Sequence, residues 1–149
     1  MAEPTQLCTF YADGLYFGID VREVQEVLQY QDMVRVPLAA DVVRGLINLR
    51  GQIVTAIDLR RRLDLRPRED GVDPMNVVVR SDDGAVSLLV DETGDVVEVD
   101  DRAYESAPET LTGRARELIE GVFKLDGELL LVLDAQKAID LPLPRHESG

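Results

Sequence analysis

Two stretches of this chain follow one plan. Residues 44–65 read RGLINLRGQIVTAIDLRRRLDL, and residues 120–141 read EGVFKLDGELLLVLDAQKAIDL. A constant offset of 76 (121 minus 45) sets Gly45 on Gly121, Leu49 on Leu125, Gly51 on Gly127, Asp58 on Asp134, Asp64 on Asp140 and Leu65 on Leu141. A shared glycine pair, a shared aspartate and a closing Asp-Leu without a gap point to a tandem duplication. Each copy predicts a hairpin followed by one short helix. Gly45, Gly51, Gly121 and Gly127 are expected at turns. Asp58 and Asp134 are expected to cap the helices with their side-chain oxygens.

The rest of the chain fits a strand-rich plan. Residues 6–12 alternate, Asp13-Gly14 is a two-residue turn signal, and residues 15–19 form the return strand. Asp20 suits the cap of a single helical turn. In the next strand the alternation puts Val24 and Glu26 on one face. Residues 66–74, RPREDGVDP, are polar and hold two prolines and a glycine, which marks a boundary. The second half repeats the order, with residues 75–80 and 85–90 as a hairpin and Val96 to Val99 as the counterpart of Val24 to Val27, Glu98 matching Glu26. An acidic crossing with Pro108 fills residues 100–117. Residues 1–6 and 142–149 are expected to be flexible.

About five short strands per half, tight turns and one helical turn suggest a small β-barrel. The fold class is all-β, with two barrels in tandem. Halves of about 15–65 and 75–141, mixed by the N-terminal strand, are too small to bury much alone and are expected to fuse into one domain, 1–149. A groove between two such barrels is a natural place for a ligand.

Charge and composition exclude several functions. The chain has 16 basic and 29 acidic side chains, a net charge of −13. That opposes a nucleic-acid partner, which needs a concentrated positive face. Seven arginines do lie between Arg44 and Arg68, without interleaved aromatics, and read as a solvated helical turn and linker. The N-terminus has no basic-then-apolar signal, and no apolar run approaches the roughly 20 residues of a membrane span. The expectation is a cytoplasmic protein without membrane insertion.

No catalytic set is visible. The single histidine, His146, is three residues from the end of an apparent tail, where nothing holds geometry. Cys8 is the single cysteine and sits in an apparent strand, so a buried structural thiol is expected. Asp82-Asp83 and Asp100-Asp101 lie at turns, where aspartate is favoured for backbone reasons. No metal and no cofactor are expected. Arg50 is the informative residue. The first position of a two-residue turn ending in glycine favours Asn or Asp, as the second copy has with Asp126. A residue that breaks a local rule often serves a purpose elsewhere.

The string RGLINLRGQIVTAIDLRRRL resembles the chemotaxis coupling protein family CheW. So do YFGIDVREVQEV (residues 16–27) and LLVDETGDVVEV (residues 88–99). The resemblance runs in order from Phe10 to Leu141. It implies two SH3-like five-stranded barrels with short helical turns, and a non-catalytic adaptor. The implied partners are the regulatory domain of a CheA-type histidine kinase and the signalling tip of methyl-accepting chemoreceptors. The protein would be cytoplasmic and recruited to membrane-associated receptor arrays. By resemblance Arg50, Val24 and Glu26 belong to the receptor-binding surface; no compact motif marks the kinase-binding residues. A scaffold for another two-component pathway, or a small-ligand binder in the inter-barrel groove, are the alternatives.

Overall fold

The computed structural model describes residues 5–69 and 71–141. The expected flexibility of 142–149, and His146 with it, lies outside these residues. At the other end, Thr5 and Gln6 already belong to the first strand rather than to a loose lead.

In the described residues, eleven strands and three short α-helices follow one another, with 3-10 turns at Val21–Glu23 and Asp101–Ala103: β1 (Thr5–Ala12), β2 (Leu15–Asp20), β3 (Val24–Leu28), β4 (Val43–Leu49), β5 (Gln52–Asp58), α1 (Leu59–Arg62), β6 (Met75–Val79), β7 (Val86–Val90), β8 (Glu92–Val99), β9 (Tyr104–Glu105), α2 (Gly113–Leu118), β10 (Ile119–Leu125), β11 (Glu128–Leu133) and α3 (Ala135–Ile139). They build two sheets. One has the order β8-β1-β2-β11-β10-β9 and the other β3-β6-β7-β5-β4. The protein is therefore mainly β, as expected, with its strands divided between two sheets.

The sheets do not follow the sequence halves 15–65 and 75–141. The N-terminal strand does cross over, pairing with β8, but β2 goes with it and the hairpin β6–β7 makes the reverse exchange. Each exchange is sealed by a parallel pairing, β5 with β7 and β11 with β2. The physical reason is burial. A half of about 70 residues encloses too little apolar surface, and trading hairpins gives both sheets strands from both halves.

The duplication reappears in the packing. Ile47, Leu49, Val54 and Ala56 lie in one sheet's own core. Phe123, Leu130 and Val132, and Leu125 packed against them, fill the other's at the offset of 76. A third and larger cluster lies between the sheets and includes Ile57, Leu59 and Leu63 with their counterparts Leu133, Ala135 and Ile139. Phe10 and Phe17 stack within it, ring centroids 5.8 Å apart.

Asp58 and Asp134 cap α1 and α3 as expected, accepting from the backbone N–H of Arg60 at 3.1 Å and of Lys137 at 3.1 Å. Gly51 and Gly127 sit in the turns with φ of 89° and 77°. Gly45 and Gly121 do not. They lie inside β4 and β10, each next to a β-bulge. A Cβ on Gly45 would stand 2.7 Å from the Val34 carbonyl oxygen, and one on Gly121 would meet the Glu105 carbonyl oxygen and the Tyr104 ring. In both copies the crossing segment passes directly over the glycine, so the shared residue is required for close approach.

The acidic crossing also holds a helix, α2, that the sequence conceals. Its cap position, Thr112, makes no side-chain cap bond, and Gly113 opens it at φ 64°. Threonine suits a cap by type, but a glycine at the first helical position masks that helix-start signal.

Candidate functional site

Strands β3 and β4 are the two edges of the five-stranded sheet. Glu26 on β3 and Arg50 in the turn after β4 form an ion pair across that seam. The Glu26 carboxylate also accepts from Gln25 Nε2 at 3.4 Å. Hydrogen bonding from Arg50 holds the Glu26 carboxyl below its usual range against the opposing pull of burial. Arg50 itself remains 69% exposed while Glu26 is mostly covered. The guanidinium thus presents its remaining donors to solvent from a fixed position.

Local backbone fixes that position. Arg50 has φ 52°, in the left-handed region that residues with a long side chain rarely occupy, and Asn48 Oδ1 accepts from the Gly51 N–H at 2.9 Å. Among the described residues only Asp13, Leu38, Arg50 and Asp64 are non-glycine positions with positive φ. Asp126, the residue whose type suits that conformation, does not adopt it.

The structure separates Val24 from Glu26. An extra residue in β3 sets Val24 opposite Val79 but Glu26 opposite Val78. Successive residues of β6 face opposite sides, so the bulge turns Val24 and Glu26 to opposite faces, against the simple alternation. Val24 is 9% exposed and packs in the core between the sheets. The exposed apolar residues nearby are others: Val27, next to Glu26 in β3 but on the opposite face, and Ile53 on β5, 42% and 41% exposed. Sequence reasoning assigns neither of them to the site. Their alternation with the inward-packed Leu28 and Val54 is the signal that could have found them.

Strand pairing also corrects the internal match. Phe17 lies beside Leu131 and Val86 lies beside Thr55, the residue that matches Leu131 in the first copy, so Phe17 corresponds to Val86. Through the hairpin pairs Cys8 then corresponds to Val77. Val27 faces Val77 and Val96 faces Cys8, which places Val96 on Val27 and Asp95, not Glu98, on Glu26. The second sheet therefore has Asp95 and Asp126 where the first has Glu26 and Arg50. Two carboxylates form no ion pair, so the second sheet lacks this latch.

The remaining singled-out groups have structural roles. Cys8 is partly buried, and burial with the Asp20 charge pushes its thiol pKa up, away from a reactive thiolate. The arginine cluster is solvated only in part: Arg44, Arg50, Arg61 and Arg66 are exposed, as expected, while Arg60, Arg62 and Arg68 are not. Arg60 grips Asp91 through Nε at 3.0 Å and Nη2 at 2.5 Å. Arg68 reaches Asp91 at 3.3 Å and Asp58 at 3.7 Å, and is 8% exposed. Arg66 donates to Asp13 at 3.0 Å. These side chains tie the inter-half linker to the β1–β2 turn and to the residue before β8. Among the described residues no group of His, Cys, Asp and Glu is placed to hold a metal ion, and no helix is long and apolar enough to cross a membrane.

A two-sheet β-protein whose distinctive feature is a solvent-facing ion pair over an open seam is an interaction module. Residues 6–142 match the family model described as the CheW-like domain, so the chain belongs to the CheW family. It is 33% identical over 135 residues to the chemotaxis protein CheW of Bacillus subtilis, covering 91% of this chain and 86% of that one. It is 32% identical over 139 residues to the chemotaxis protein CheW of Treponema pallidum, covering 91% and 82%. The crystal structure of the scaffolding protein TtCheW from Thermoanaerobacter tengcongensis superposes with a TM-score of 0.82 at 25% identity, over 94% of this chain and 95% of that one.

Proposed function

We propose that this protein is a non-catalytic adaptor that couples chemoreceptors to a CheA-type histidine kinase in chemotaxis. One rigid body that holds two partners through separate surfaces links their conformations, because each partner's binding energy depends on the arrangement that the other favours. The receptor's signalling tip docks at the β3–β4 seam, on Arg50, Glu26 and the exposed Val27. Val24 acts from beneath, holding β3 against the core between the sheets. The kinase's regulatory domain takes another surface. The protein works in the cytoplasm and is recruited to membrane-associated receptor arrays by these contacts.

The Glu26–Arg50 latch carries this reading. It occupies a strained turn in one sheet and is replaced by two aspartates in the other, a difference that folding alone does not require.

Titration calorimetry against a receptor signalling-tip fragment and a kinase regulatory domain, separately, tests it. Wild type binds both. Arg50→Ala binds the kinase domain normally and the receptor fragment at least about tenfold more weakly, the loss expected of an interface anchor. Unchanged receptor affinity in a folded Arg50→Ala protein would remove the seam from the receptor surface.

A further inference from the structure

The segment that crosses from β3 to β4 roofs an open cleft of about 760 Å³. Three arginines line it, Arg35 on the crossing, Arg44 on β4 and Arg61 on α1, against one carboxylate, Asp41. This is a local excess of positive charge on a chain of net −13. Many arginines are committed: among the described residues Arg22, Arg50, Arg60, Arg66, Arg68, Arg102 and Arg114 all pair with carboxylates. Arg35 and Arg44 make no hydrogen bond or ion pair among the described residues, and Arg61 only approaches Asp58 at 4.0 Å.

The cleft, although more polar than apolar overall, also has an apolar wall, formed by Met33, Val36 and Pro37. At its rim Leu38 is fully in water, at 106% exposure, and is held there at φ 63°. Val34 nearby is 70% exposed. A γ-branched side chain presented to solvent from a left-handed backbone is doubly unfavourable in the free protein, and covering it would recover one of those costs. The duplication gives a control: the position matching Arg44 is Glu120, so the second copy reverses the charge.

We propose that this cleft is a docking site for an acidic, apolar peptide segment of a partner protein. Carboxylates match the forked donors of Arg35 and Arg44, and large apolar side chains cover Leu38 and Val34. A small inorganic anion would satisfy the arginines and leave the apolar rim in water. The site is separate from the seam: Arg44 and Arg50 stand at opposite ends of β4, about 20 Å apart at the rise of an extended strand.

Selection of random dodecapeptides displayed on phage, against the full chain, tests the proposal. Enriched peptides are expected to be acidic and to carry at least two large apolar residues. Synthetic versions, titrated by fluorescence anisotropy, should lose at least about tenfold in affinity to Arg35→Glu/Arg44→Glu and a smaller factor to Leu38→Ser. Both variants should keep the wild-type circular dichroism and urea midpoint, because the altered side chains make no bonds that hold the fold. The proposal is overturned if the enriched peptides are neutral or basic, or bind the double variant equally well. It is also overturned if pyrophosphate alone displaces them completely, which would mark a small-anion site. Self-association by light scattering that the double variant abolishes would overturn it too, by assigning the cleft to a second copy of this chain.

Discussion

Arg62 donates from Nε to the Ala138 carbonyl at 2.8 Å and from Nη2 to the Lys137 carbonyl at 2.9 Å. Residues 62 and 138 are the same position in the two copies of the repeat. The duplicated helices therefore meet at equivalent points, and the arginine of one serves the last carbonyls of the other. The final carbonyls of a helix lack the donors that its interior supplies, and a cation at a helix C-terminus is favoured. The Asp140 N–H reaches the Lys137 carbonyl at 3.2 Å, and the guanidinium adds to it there and serves Ala138 as well.

This clasp yields the first prediction. Arg62→Ala removes both bonds of the fork and should lower stability by about 1–2 kcal/mol. Arg62→Lys should recover only part, since one ammonium cannot reproduce the fork. Urea denaturation of the three proteins measures this. Equal midpoints for wild type and Arg62→Ala would mean that water replaces the clasp without cost.

Val24 and Val27 should part company. Val24→Ala opens space in the core between the sheets and should cost about 1–2 kcal/mol, with receptor binding intact while the protein stays folded. Val27→Asp alters an exposed residue beside the latch, and should leave the urea midpoint nearly unchanged while receptor binding falls at least about tenfold. Calorimetry on both variants checks the split. Loss of binding in folded Val24→Ala, with Val27→Asp normal, would reverse the assignment.

Strain and function should trade off at Arg50. Arg50→Asn places a residue that tolerates positive φ in the turn, so the unfolding midpoint should hold or rise although the ion pair to Glu26 is gone. Receptor affinity should fall as it does for Arg50→Ala. A lowered midpoint together with normal receptor affinity would make Arg50 a structural latch and nothing more.

What can be read from the sequence is local. The alternating runs, the Asp-Gly and Arg-Gly turns and the aspartate caps each act within a few residues, and β1, β2, β5, α1 and α3 lie where those signals put them. Strand exchange is not local. Whether β7 joins β5 or β2 depends on which sheet lacks an edge, which no window reveals. Bulges defeat alternation because one added residue reverses every later side chain, as it does between Val24 and Glu26. Gly45 reads as a turn residue because the backbone that crowds it, at Val34, arrives from the crossing before β4. Arg60 and Arg68 read as solvated because their partner, Asp91, lies 31 and 23 positions away. Of the candidate site, Arg50 and Glu26 are legible as residues. Their pairing across the seam is not.

Acid should unlock the linker before it dissolves the cores. Burial raises the pKa of Asp91, but the hydrogen bond from Arg60, the N–H of Asp13 and the charge of Arg68 outweigh it and leave the carboxyl below its ordinary value. Hydrogen bonding and charge from Arg66, with the charge of Arg60, do the same for Asp13. An acid whose folded pKa is depressed contributes stability that is fully present above its unfolded pKa of about 4 and is lost as pH falls through the folded value. Glu120 has the opposite sign. Burial, with the charges of Asp134, Glu23 and Asp20, raises its pKa, so its ionisation opposes folding near neutrality and protonation relieves it. Asp91→Asn should therefore lower stability at pH 7 by about 2 kcal/mol, because it weakens charged hydrogen bonds and leaves Arg60 and Arg68 only their longer carboxylate approaches, to Asp13 at 3.8 Å and Asp58 at 3.7 Å. The gap from wild type should narrow as pH falls below about 4, where the unfolded chain binds a proton that folded Asp91 does not. Glu120→Gln should raise the urea midpoint at pH 7 and leave it unchanged in acid. Urea titrations from pH 3 to pH 8 measure both curves. A gap between wild type and Asp91→Asn that stays constant across that range would show that the side chain's shape, and not its charge, holds the linker.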